Sequence, residues 1–414
     1  MRNVRLALAL ALSVPPAISV LAQGPLSPPG SPAPTMKTLA QVEPRTAITN
    51  MPFTISTSGS YYLTSDFTSA AGITIATNHV TIDLCGFTLT GPGKSAGGSA
   101  SGIILGGSYA NAVVRNGRIR EWPGRGVGVG SVGWLEDLNV ENCNAEGLQA
   151  GQQSLVMNCR VGNCAASGIR VDHSSRVQGC IVTANSSNGV YTVNDCEVRD
   201  TEATYNTIDG IGTGNGCSVI DCLAANNTRH GLRTSNGNTI FGCSAYLNTG
   251  DGINASSGCT IKDCTAYDNS GNGIAAASRC TIAHCSSYDN TLTGIGVNSA
   301  CTISECTATE NATNIMVTAN CQVLNNTCVG IGAGAGVGIQ VIHNNGNGNR
   351  LDGNTVSLLA VGFDVKDSGN LIVRNSSYLS TVDYSITNGN SVGGIVAVAG
   401  LSFTNTNPWV NFEF

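Results

Sequence analysis

The chain is 414 residues long, carries a net charge of −6, and only 11% of its residues are charged. An acidic balance with no Lys/Arg cluster excludes nucleic acid as a partner, since that role needs basic patches. Aromatic residues at 5% beside 52 glycines cannot fill a core with large side chains, so small ones must be buried in a regular arrangement.

The N-terminus reads as a secretory signal over residues 1–22. Arg2 and Arg5 precede an apolar stretch at 6–12, and Val20, Leu21 and Ala22 stand at the cleavage positions. The apolar stretch is too short, and too broken by Pro15 and Pro16, to span a bilayer, and no later segment is apolar for long enough. The expected location is therefore secreted, periplasmic or at the cell surface, with no membrane span. Residues 23–49 are predicted as a linker and N-terminal cap, because Pro25, Pro28, Pro29, Pro32 and Pro34 rule out helix and central strand.

Residues 50–381 repeat. Gly147, Gly168, Gly189, Gly210, Gly231, Gly252, Gly273 and Gly294 are spaced by 21, and each precedes an aliphatic residue. In the same phase run Asn185 through Asn311, Cys159 through Cys306 (with Thr201 filling one gap), and Cys196 through Cys301 (interrupted by Asn238). In the unit 259–279, Cys259, Ile261, Cys264 and Ala266 alternate with polar residues, which is the period of a strand with one buried face. Three short strands per 21 residues describe one coil of an all-β, single-stranded right-handed parallel β-helix with terminal caps. Glycine before each aliphatic residue is expected to supply a positive-φ turn. After Cys328 the period slips through a Gly/Ala-rich stretch, and residues 382–414 are expected to cap the last coil with Trp409, Phe412 and Phe414.

The phrase Asn248…Gly252-Ile253…Thr260-Ile261 and its counterparts resemble the right-handed parallel β-helix repeats of the pectate-lyase-like superfamily, over roughly residues 53–378. The resemblance implies the fold. For activity it implies only a range, since that superfamily holds lyases, hydrolases, epimerases, binding modules and adhesins.

Seventeen cysteines in an exported protein raise the possibility of disulfides. In-register parallel side chains keep Cβ atoms near 4.8 Å, longer than the favoured ~3.8 Å, so stacked free thiols are expected.

Chemistry must sit at outward positions. The residue before the repeat glycine reads Glu146, Ser167, Asn188, Asp209, His230, Asp251, Asn272, Thr293. Asp209, His230 and Asp251 stack on successive coils with Arg229 and Arg233 beside them, the candidate catalytic group. The competing reading is that Asp, Asn and His are simply good turn residues. Tyr246, Tyr267 and Tyr288 form a candidate sugar-binding row. Beside them Asp268, Asp289 and Glu310 are candidate Ca²⁺ ligands, the one cofactor suggested. Corner residues Asp200, Asp221, Asp263, His284 and Glu305 form a further polar row.

The expected partner is a polysaccharide or cell-surface glycan, met by a carbohydrate-binding or structural, adhesive protein. The alternative is a polysaccharide lyase or glycoside hydrolase acting on uronic-acid polymers. Unbroken repeats without long cleft-forming loops favour the first.

Overall fold

In the coil that begins at Cys259, the strands are Thr260–Lys262, Thr265–Tyr267 and Ile274–Ala276. The first two bury their central residue and the third buries both ends, so Ile261, Ala266, Ile274 and Ala276 point inward and Ala275 outward. This single rule explains why the sequence alternates polar and small apolar residues. The computed structural model describes residues 42–332, 334–342, 347–398 and 405–414. The chain divides at Pro44, and residues 45–414 form one unit, the β-helix treated below. The predicted signal segment and most of the linker lie outside the described residues.

Strands equivalent to Ile274–Ala276 stack into a 16-stranded sheet from Phe53–Ile55 to Val382–Ile386, here called the first face. Strands like Thr260–Lys262 make the second face and those like Thr265–Tyr267 the third. These two join into one sheet because Ala112–Arg120 and Trp134–Glu141 run unbroken through the corner between them. Pairing is parallel throughout the stack. Ile169 stands over Val190, then Ile211, Leu232, Ile253, Ile274 and Ile295, a constant step of 21. The step shortens by one at Ile295↔Ile315 and lengthens at Ile73↔Ile103 and Val323↔Leu351.

The helix runs further at both ends than the sequence period suggests. Thr46–Ile48 already pairs with Tyr61–Leu63, and Val382–Ile386 pairs with Val361–Val365. Asn411–Glu413 then pairs with both Ile395–Ala397 and the 376–378 strand, closing the last coil through its backbone. The aromatic that fills this end is Tyr384, stacked on buried Phe363 at 5.0 Å, with its hydroxyl donating to the carbonyls of Asn375 and Phe412. Trp409 and Phe414 are instead half exposed.

The turn rule also differs from expectation. The repeat glycines do not have positive φ. A Cβ on Gly210 would lie 2.7 Å from Asn227 Nδ2 and 2.7 Å from the Gly231 carbonyl oxygen, so glycine is required there by the close approach of the next coil. The left-handed conformation falls one residue before each inward corner side chain. It is taken there by ordinary residues such as Asp221 (φ 52°), Leu247 (φ 54°) and Asp263 (φ 54°), and by Gly237 (φ 68°).

The inward corner residues tie the coils together. Asn227 Nδ2 donates to Asn248 Oδ1 and Asn248 Nδ2 to Asn269 Oδ1, each at 3.0 Å, and the same oxygens accept the backbone N–H of the residue below. Cysteine makes weaker versions of these bonds. Cys217 Sγ accepts the Cys196 N–H at 3.4 Å and donates to the Val193 carbonyl at 3.2 Å. Thr201 does the same work in a cysteine column, accepting from the Cys180 N–H and donating to the Arg199 carbonyl. All 17 cysteines are unpaired, and all but Cys85 are buried. Burial, aided by the neighbouring Cys306, pushes the Cys328 thiol well above its ordinary range.

Candidate functional site

The column before the repeat glycines edges the first face and obeys its own bonding rule. Asn188 Oδ1 accepts the Asp209 N–H at 3.1 Å, Asp209 Oδ1 accepts the His230 N–H at 3.3 Å, and His230 Nδ1 accepts the Asp251 N–H at 3.0 Å. Asp251 Oδ1 accepts the Asn272 N–H at 2.8 Å, and Asn272 Oδ1 the Thr293 N–H at 3.1 Å. The structure thus brings Asp209, His230 and Asp251 together as consecutive rungs of one backbone-supporting ladder.

Their remaining valences are also committed. The Asp209 carboxylate is buried and held by Arg229 through both oxygens, Nε to Oδ1 at 2.7 Å and Nη2 to Oδ2. Asp251 accepts Asn272 Nδ2 at 2.9 Å and Asn254 Nδ2 at 2.7 Å. His230 uses Nδ1 as an acceptor, which leaves its proton on Nε2. Burial lowers the imidazole pKa and Arg229 and Arg233 add to this, against the opposing pull of Asp251 and Asp209. Arg233 stands apart: it is exposed on the outward row of the first face, between Gly212 and Asn254.

That outward row sets Arg233, a sequence candidate, beside residues the sequence analysis did not single out. In register along the axis stand Gln149, Arg170, Tyr191, Gly212, Arg233 and Asn254, each the second residue after a repeat glycine. The 21-residue spacing of this row is present in the sequence, but it carries no repeated residue type that would mark it. Arg170 lies against the Tyr191 ring, its guanidinium carbon 5.7 Å from the centroid, and its buried Nε has no hydrogen-bond partner. Among the described residues, neither Arg170 nor Arg233 has a carboxylate within salt-bridge distance. Beyond Asn254 the row shrinks to Ala275 and Gly296. This opens a depression of about 350 Å³ edged by Asn254, Asn272, Asn298 and Met316. At the other end, Tyr109, Gln149, Gln152 and Asp172 line a second depression of about 380 Å³.

The tyrosine row is a true stack, with Tyr246–Tyr267 and Tyr267–Tyr288 centroids each 4.8 Å apart and planes 11° and 7° from parallel. Stacking covers both faces of the Tyr267 ring, so the row offers edges and hydroxyls to solvent, with a free ring face only at its ends. Burial and its two ring neighbours raise the Tyr267 pKa. Asp268 (φ 53°), Asp289 (φ 54°) and Glu310 (φ 58°) occupy the left-handed corner position beside that row. Asp200, Asp221, Asp263, His284 and Glu305 occupy it at another corner, with φ between 49° and 55°. Among the described residues, no group of three or more His, Cys, Asp or Glu side chains is placed to hold a metal ion. No helix among them is long and apolar enough to cross a membrane.

Comparison with known proteins gives a family match and distant structural likenesses. The A-module of the mannuronan C-5 epimerase AlgE6 of Azotobacter vinelandii is 18% identical, with 77% of this chain and 91% of that one covered and a TM-score of 0.48. Tailspike protein 3 of bacteriophage CBA120 is 10% identical over 89% of this chain and 61% of that one, TM-score 0.42. The catalytic domain of a GH87 α-1,3-glucanase, solved with tetrasaccharides, is 12% identical over 78% and 70%, TM-score 0.32. No curated protein matches the sequence. The family described as "Right handed beta helix region" matches residues 55–208 and 255–407, most of the chain and most of its coils, and the protein belongs to that family.

Proposed function

We propose that the first face binds an acidic polysaccharide and does not cleave it. The observation that carries this reading is the outward row itself. Arg170 and Arg233 present guanidinium groups without carboxylate partners, Tyr191 adds an aromatic surface, Gly212 leaves room between them, and Ala275 and Gly296 leave room beyond Asn254. Guanidinium groups hold carboxylates through paired hydrogen bonds, which suits a polymer carrying an acid on its sugars. Asparagines and glutamines around both depressions offer donors and acceptors to hydroxyls. A binding role at the cell exterior agrees with the signal-like N-terminus.

Two features weigh against turnover. Glycoside hydrolysis needs one free carboxylate and one protonated carboxyl group across the scissile bond. Asp209 and Asp251 both have their oxygens occupied by Arg229, Asn254, Asn272 and backbone N–H groups. A lyase needs a base with a lone pair facing the substrate, and the His230 Nδ1 lone pair is taken by the Asp251 N–H.

Calorimetric titration with polyuronates and with a neutral glucan tests the proposal. Binding to the polyuronate alone is expected, weakened by salt. Replacing Arg170 and Arg233 together by alanine should weaken it about tenfold or more. Equal affinity for the neutral polymer, or ultraviolet absorbance from an unsaturated uronate product, would overturn it.

A further inference from the structure

A separate depression lies at the corner between the second and third faces near the N-terminal end. It has a volume of about 390 Å³ and is lined by Gly86, Asn116, Arg118, Asp137, Asn139 and Arg160, among others. Its origin is local. Ala112–Arg120 and Trp134–Glu141 carry the chain through this corner as continuous strands. Gly86 (φ +80°) and Gly117 contribute no side chains to the floor. A Cβ on Gly117 would lie 2.3 Å from the Cβ of buried Leu84, so glycine is required there, and Gly86 holds a left-handed φ that favours glycine.

Three coils present their side chains in register over this floor: Arg118 pairs with Asn139, and Asn139 with Arg160. The two arginines are therefore separated by two coil spacings, roughly 9–10 Å along the axis, with an amide between them. Both are exposed. Many arginines among the described residues are tied to acids, as Arg45 and Arg115 are to Asp83, Arg125 to Glu146, and Arg374 to Asp352. Arg118 and Arg160 have no acidic partner among the described residues, although Asp137 lines the same depression.

The geometry points to a second glycan site, specific for a single acidic sugar unit. Arg118 and Arg160 take the carboxylate from either side, and Asn139 and Asp137 hydrogen-bond the hydroxyls. A site for a bare inorganic anion would gain nothing from Asp137, whose charge repels it. A sugar acid uses both signs of charge, because its hydroxyls donate to Asp137 while its carboxylate accepts from the arginines. The Arg118–Asn139–Arg160 row lies on the third face, so the site stands or falls independently of the first-face reading.

The test uses the full chain carrying Arg170→Ala and Arg233→Ala, so that the first face contributes nothing. Glucuronate, glucose and inorganic sulfate are titrated, with binding followed by saturation-transfer NMR and calorimetry. Glucuronate is expected to bind, and glucose and sulfate to bind about tenfold more weakly or not at all. Adding Arg118→Ala or Arg160→Ala should each lower glucuronate affinity about tenfold. Asp137→Asn should strengthen sulfate binding relative to glucuronate. Glucuronate that fails to bind, sulfate that binds as tightly, or an Arg118→Ala/Arg160→Ala chain that binds as before would each overturn the proposal. The two arginines are exposed, and unchanged circular dichroism would establish that these variants fold.

Discussion

Two polar columns of this β-helix both tie one coil to the backbone of the next and look entirely different in sequence. Inside the corner that follows the third face, Asn206 to Asn311 repeat a single residue type, and each side-chain oxygen accepts the N–H of the residue one coil below. At the edge of the first face, Asn188, Asp209, His230, Asp251 and Asn272 support the neighbouring coil with three residue types, each side chain accepting the N–H of the residue one coil above. The difference is burial. An inner rung must donate as well as accept, because a buried donor or acceptor left alone is costly, and an amide does both with stronger bonds than the thiols of the cysteine columns. An outer rung needs only to accept, since neighbouring side chains such as Arg229 on Asp209 and Asn254 on Asp251 serve its other atoms, so several residue types serve there. A mixed row of Asp and His on a solenoid is therefore no signature of catalysis until its lone pairs are counted.

The inner column is where this contrast breaks hardest. Asn248 accepts from the Asn227 N–H and Nδ2 and donates to Asn269 Oδ1 and the Ala224 carbonyl. Asn248→Ala removes all four of these hydrogen bonds and leaves the buried Asn227 N–H without its acceptor, which should cost about 3 kcal/mol or more. Chemical denaturation measures this directly. A loss under 1 kcal/mol, roughly the net worth of one ordinary hydrogen bond, would show that the column is not held by these bonds.

Glycine gives the next effect. Gly210→Ala places a methyl group against Asn227 Nδ2 and the Gly231 carbonyl, and overpacking of that kind costs about 1–3 kcal/mol. Gly237→Ala meets nothing within 4 Å and suffers only its left-handed φ of +68°, about 1 kcal/mol. Melting temperatures of the two variants should fall in that order, and the reverse order would return the repeat glycines to a conformational role.

These effects also mark what the sequence could disclose. The 21-residue phase is written in Gly147 through Gly294, and a strand must follow each glycine because the aliphatic ends of segments such as Ile274–Ala276 are buried while the centre is not. The reason for those glycines was not legible, since steric exclusion and positive φ demand the same residue. The true left-handed positions hide for the opposite reason. Asp, Leu, Tyr and His all occupy them, at Asp221, Leu247, Tyr205 and His284, so no composition signal remains. The Arg118, Asn139, Arg160 series repeats at 21 like the rest. What singles it out is the side-chain-free floor beneath it, and that depends on Gly86 and Gly117 meeting from different coils.

The smallest effect separates a ladder rung from a reactive histidine. In the folded protein the His230 pKa is lowered, chiefly by burial, and Nδ1 must stay unprotonated to accept the Asp251 N–H. A depressed folded pKa means that the stabilisation is full above the unfolded value of about 6.5 and is lost as pH falls through the lower folded value. Asn188 and Asn272 show that asparagine fits this column and accepts the same bond. His230→Asn should therefore leave stability at pH 8 nearly unchanged and flatten the decline between neutrality and mild acid. Asp352 would account for the decline that remains at lower pH. Its carboxyl is held below the usual range by hydrogen bonds from Arg374 and Arg350, so its contribution fades only in stronger acid. Denaturation midpoints across the pH range decide the matter. A His230→Asn variant that loses stability at pH 8, or keeps the parent slope, would mean that His230 contributes something other than a neutral acceptor.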